Sequence, residues 1–135
     1  MNILVIDAQG GGIGRQVVAA IHKNIPHAVI TAAGTNTAAT AAMMKAGADN
    51  AATGENAVIV GARKADVIIG PIGIVIADSL LGEITPAMAT AVGQSNAKRI
   101  LIPVNHCDNI VAGTQGLTTK SLLEEVISIL QHTEK

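Results

Sequence analysis

Two stretches carry groups suited to chemistry. The first is Asp7-Ala8-Gln9-Gly10-Gly11-Gly12-Ile13-Gly14-Arg15-Gln16, with four glycines in five positions. It comes directly after the apolar run Ile3-Leu4-Val5-Ile6 and reads as a buried strand, a turn and the first turn of a helix. Such a junction aims backbone N–H groups and the positive end of a helix dipole at one spot, where an anion can sit. Gly10, Gly11, Gly12, Ile13, Gly14 and Arg15 are therefore candidate ligand contacts. A cation such as Arg15 in the first helical turn opposes the dipole unless an anion neutralises it, and a solvated arginine is the alternative. The second stretch is His106-Cys107-Asp108, in a polar loop after a strand. Cys107 becomes a nucleophile only if a base lowers its pKa, and adjacent residues rarely orient that way. A buried thiol beside a surface histidine, His106, is the plainer reading. Asp7 and Asp78 are candidate acid/base groups, although Asp7 is better placed to accept N–H groups of the glycine turn.

Three known patterns approach the glycine turn and each departs at a chemically decisive position. The dinucleotide fingerprint G-x-G-x-x-G counted from Gly10 and Gly12 meets Arg15 where its third glycine belongs. The acidic residue expected after the second strand is replaced by Gly34-Thr35-Asn36. The sequence Gly10-Gly11-Gly12-Ile13-Gly14-Arg15-Gln16 is similar to the deviant P-loop of MinD/ParA-type ATPases. However, Arg15 stands for the phosphate lysine and Gln16 for the Mg²⁺-holding hydroxyl residue, which disfavours Mg²⁺-dependent hydrolysis. The spacing of Asp7, Gln9 and Gly12 matches a cobalamin-binding D-x-H-x-x-G, but Gln9 replaces the cobalt ligand. A short-chain dehydrogenase is excluded in its ordinary catalytic form, because the chain has no tyrosine.

Composition narrows the classes further. The chain has 135 residues and no Phe, Tyr or Trp, which removes the usual platforms for stacking single-stranded nucleic acid or a flavin ring. A formal net charge of −1 gives no broad field for nucleic acid or anionic lipid. Mean hydropathy is +0.45, yet the most apolar run, Val67 to Ala77, is interrupted by Gly70, Pro71 and Gly73 and is too short to span a bilayer. A single cysteine fits a reducing compartment, and no basic segment precedes a long apolar run at the start. A cytoplasmic location is therefore expected. Four scattered histidines and one cysteine lack ligand spacing, so no metal site is expected.

The elements that must position these groups alternate strand and helix. Strands are expected at Asn2–Ile6, Ala28–Thr31, Asp66–Gly70 and Arg99–Val104, with weaker ones at Ala48–Ala52 and Ile110–Ala112. Helices are expected along the stripe Ile13, Val17, Ile21, after Thr37, over Asn56–Lys64, from Pro86, and along the stripe Leu123, Val126, Ile127, Leu130. Asn56–Lys64 contains the β-branched run Val58-Ile59-Val60; its start and its basic end favour helix. Ile74 to Glu83 resists assignment. This order gives an α/β, Rossmann-like doubly wound parallel sheet of about five strands with helices on both faces, in one domain over residues 1–135. Its ligand crevice lies at the switch point, beyond the carboxyl ends of the strands. Asn36, Gly70, Pro71 and Gly73 are expected to line it opposite the glycine turn.

The Asp7–Arg15 opening, Gly70-Pro71-Ile72-Gly73, Gly82-Glu83-Ile84-Thr85-Pro86 and Ile102-Pro103-Val104-Asn105 together resemble a family of small bacterial proteins catalogued as domain of unknown function 3842. The resemblance spans essentially the full length. It implies a Rossmann-like fold and brings no activity or catalytic residues. The functional expectation is a binding protein for a nucleotide or another phosphorylated small molecule. The alternative is a small enzyme using the same crevice with Cys107, Asp7 or Asp78. A homodimer is also expected, because Ile72–Leu81 carries more apolar side chains than an unassigned loop can leave in water.

Overall fold

The computed structural model describes residues 1–104 and 109–133. Five strands alternate with helices: β1 (Asn2–Asp7), α1 (Gly12–Asn24), β2 (Val29–Gly34), α2 (Thr37–Lys45), β3 (Asn50–Thr53), α3 (Glu55–Lys64), β4 (Val67–Pro71), α4 (Pro86–Gln94), β5 (Lys98–Ile102) and α5 (Thr119–Thr133). The strands form one sheet in the order β3-β2-β1-β4-β5, and every pair is parallel. The order reverses beside β1, so the chain is the doubly wound α/β sheet that the element order predicts.

Alternation along β1 divides the core. Ile3 and Val5 face one side with Val17, Val18 and Ile21 of α1, Met43 of α2, and Val126 and Leu130 of α5. Leu4 and Ile6 face the other side with Val58 and Ala62 of α3 and Met88 and Val92 of α4. Each fully buried Ile or Leu contributes about 1.5–3 kcal/mol through removal from water. The central strands are apolar on both faces for this reason, whereas all four residues of the edge strand β3 are exposed.

Several boundaries have local causes. Thr85 caps α4 by accepting the Met88 N–H at 3.2 Å, with Pro86 at the first helical position. Asn36 caps α2 by accepting the Ala39 N–H at 2.9 Å. The run Val58-Ile59-Val60 is helical because Val58 and Ala62 must pack on the sheet, which overrides β propensity. β2 extends to Gly34, past the expected Thr31, since pairing with both β1 and β3 holds Ala32-Ala33-Gly34 extended. Ile110–Ala112 forms no strand, and Ile110 is 83% exposed.

The unassigned connection after β4 folds back onto the sheet. Ile72–Val75 is a single 3-10 turn, and further turns carry the chain to Ile84, just before the Thr85 cap. Ile74, Leu80 and Ile84 are buried against the α3–α4 face, while Ile72, Val75 and Ile76 are half-buried. The apolar surplus that motivates a dimer through Ile72–Leu81 is thus largely covered within the chain, leaving Leu81 exposed.

Candidate functional site

Asp7 ends β1 and is buried. Its Oδ1 accepts the Ala8 N–H at 2.8 Å and its Oδ2 accepts the Gly14 N–H at 2.6 Å. Gly14 is the third residue of α1, whose own N-cap, Gly11, has no side chain to offer. The strand therefore supplies the helix cap. Gly14 must be glycine for this to happen: a Cβ there would lie 2.7 Å from both the Asp7 Cβ and the Met43 Sδ. Gly11 takes a left-handed conformation, φ 70°, with its N–H donating to the Ala8 carbonyl at 3.0 Å.

The rest of the turn is open. Gly10 and Gly12 are exposed, and a Cβ on either would meet nothing within 4 Å. Among the described residues the N–H groups of Gly12 and Ile13 have no hydrogen-bond partner. Arg15 is exposed, and its guanidinium pairs with none of the described residues. Asp78 is exposed as well, on a left-handed backbone, φ 64°.

Gly70, Pro71 and Gly73 are all buried. A Cβ on Gly70 would lie 2.5 Å from the Ile6 carbonyl oxygen, and one on Gly73 would lie 3.0 Å from the Ser79 Oγ. The glycines of this turn let β1 and the folded-back connection approach closely. His106 and Cys107 lie outside the described residues.

The residue that reaches the glycine turn is Glu83, to which no sequence pattern assigns a role. Its Oε1 accepts three hydrogen bonds: from the Gln9 N–H at 3.0 Å, the Thr35 Oγ1 hydroxyl at 2.6 Å and the Asn36 Nδ2 amide at 2.7 Å. Asn36 Nδ2 also donates to the Gln9 carbonyl at 2.9 Å. The exits of β1, β2 and the connection after β4 are joined at one carboxylate. Burial raises the Glu83 pKa, but the bonds from Thr35, Gln9 and Asn36 outweigh it and hold the carboxyl below its ordinary value. Two residues on, Thr85 Oγ1 donates to Glu55 Oε1 at 2.6 Å, tying the starts of α3 and α4 together. A separate furrow of about 670 Å³ between α3 and α4, lined by Ile59, Arg63, Thr90 and Gln94 among others, includes none of these residues.

The glycine turn, the buried Gly70–Gly73 turn and the Gly82–Pro86 fastening all fall inside a match to the family described as "Domain of unknown function (DUF3842)", over residues 2–135. The chain belongs to this family. Comparison with curated proteins gives no match. Among solved structures, this DUF3842 chain is similar to a dodecameric FMN-dependent Ubix-like decarboxylase from Escherichia coli O157:H7, with 15% identity and a TM-score of 0.56. The alignment covers 100% of the DUF3842 chain and 96% of the decarboxylase chain. At that identity the likeness is one of fold. No helix among the described residues is long and apolar enough to cross a membrane.

Proposed function

We propose that the protein binds a nucleotide or another phosphorylated small molecule at the carboxyl ends of β1 and β2. The observation that carries this reading is the division of labour in the glycine turn. Asp7 takes the Gly14 N–H, while the Gly12 and Ile13 N–H groups stay open beside glycines with free space above them. A phosphate there would gain two backbone donors and the α1 dipole. Arg15, exposed in the same helical turn, adds a positive charge within reach of that position. The structural neighbour is FMN-dependent by its description, so a protein of similar fold uses a phosphate-bearing ligand. The absence of aromatic residues speaks against a stacked flavin ring here.

The same absence supplies a sharp test. With no Trp, Tyr or Phe, near-ultraviolet absorbance of the purified protein reports a bound base or flavin directly. Adenine, guanine and nicotinamide nucleotides at millimolar concentration are expected to raise the melting temperature. Gly12→Val is expected to abolish that rise while the protein stays folded, because a side chain there covers the open N–H groups. A panel that produces no shift at all overturns the reading.

A further inference from the structure

We infer that Glu83 selects a ribonucleotide, by accepting hydrogen bonds from the vicinal hydroxyls of its ribose. This rests on the reading that the glycine turn holds the phosphate. In sheets of this strand order an acidic residue at the end of the second strand receives the ribose hydroxyls. Here that end carries Gly34-Thr35-Asn36 and no acid. The connection after β4 brings one there: Thr35 and Asn36 themselves donate to Glu83.

The way the carboxylate is held matters more than its presence. All three of its hydrogen bonds fall on Oε1. Oε2 has no partner among the described residues, and the side chain is only half-buried. One oxygen fixes the group and the other is left as a charged acceptor with no partner among the described residues. An acceptor-only carboxylate recognises hydroxyl donors and repels phosphate. A ligand spanning the site therefore needs its anion at Gly12 and Ile13 and its hydroxyls at Glu83. Gln9, whose N–H donates to Glu83, lies three residues before Gly12, so at most about 11 Å of extended chain separates the two positions. A sugar 5′-phosphate fits within that reach.

The test is calorimetric titration of the full chain with ADP and GDP and with their 2′,3′-dideoxy counterparts. The ribonucleotides are expected to bind about tenfold or more tightly than the dideoxy forms, the ratio of one or two charge-assisted hydrogen bonds. Glu83→Gln keeps an oxygen for Thr35, Asn36 and Gln9 but lacks the second acceptor, and is expected to bring the ratio close to one. Circular dichroism establishes that this variant is folded. Glu83→Asp, which retains the charge, serves if it is not and is expected to keep part of the ratio. Equal binding of ribo and dideoxy forms by the unaltered protein overturns the inference and leaves phosphate binding standing. A ratio that survives Glu83→Gln overturns it also. Binding of neither form overturns both readings together.

Discussion

Two glycine turns leave neighbouring strands of one sheet and use glycine for opposite ends. After β1, Gly10 and Gly12 look into free space, and the missing side chains bare the backbone to solvent. After β4, Gly70 and Gly73 look into the Ile6 carbonyl, Ser79 and Leu80, and the missing side chains let chain pack on chain. The two turns diverge because they lead into different elements. β1 leads into a helix that runs away from the turn and leaves its first amides unpaired among the described residues. β4 leads into a connection that doubles back and buries Ile74 and Leu80. Glycine content marks both turns and distinguishes neither; the destination of the next ten or so residues does.

The largest effect expected from this contrast is at Gly70. Gly70→Val forces a side chain against a backbone oxygen in the sheet centre and should cost about 3 kcal/mol, read as a lower midpoint in urea. Gly12→Val should change stability by no more than about 0.5 kcal/mol in the same measurement. Comparable losses at the two positions would break the comparison. Asp7→Ala comes next. It leaves the Gly14 and Ala8 N–H groups without their carboxylate at a buried position and should cost about 2 kcal/mol.

The smallest effect is at Glu83 and appears in acid. Its pKa is lowered in the folded chain, so the stability it contributes is present above the ordinary glutamate range and is lost as pH falls through the folded value. Glu83→Gln should therefore show a shallower fall of melting temperature across that acid window than the unaltered protein. An identical acid limb in the two proteins would mean that the three hydrogen bonds on Oε1 do not outlast solution conditions.

The fold was legible because its signals are local. Apolar runs mark the buried strands, the stripe Leu123, Val126, Ile127, Leu130 marks α5, and Thr85-Pro86 marks the start of α4. The use of Asp7 as acceptor for the glycine turn was legible for the same reason, since Asp7 and Gly14 are seven residues apart. Glu83 was not. Its partners are 47, 48 and 74 residues away, and no spacing rule links them. The one hint was the acid missing from the end of β2, a gap that another part of the chain fills. The buried roles of Gly70 and Gly73 were hidden likewise, because they depend on how Ile72–Ile84 folds back.

The hydrogen bond from Gly14 to Asp7 divides the amides at the start of α1 into two kinetic classes. Helix amides at the second and third positions ordinarily exchange with solvent deuterium at similar, rapid rates. Here the Gly14 proton is held by a buried carboxylate, whereas those of Gly12 and Ile13 have no partner among the described residues. Deuterium uptake followed by NMR should thus find one slow amide directly after two fast ones. The slow amide is an internal clock for opening of the β1–α1 junction. The two fast ones are reporters that a phosphate would slow without disturbing the clock.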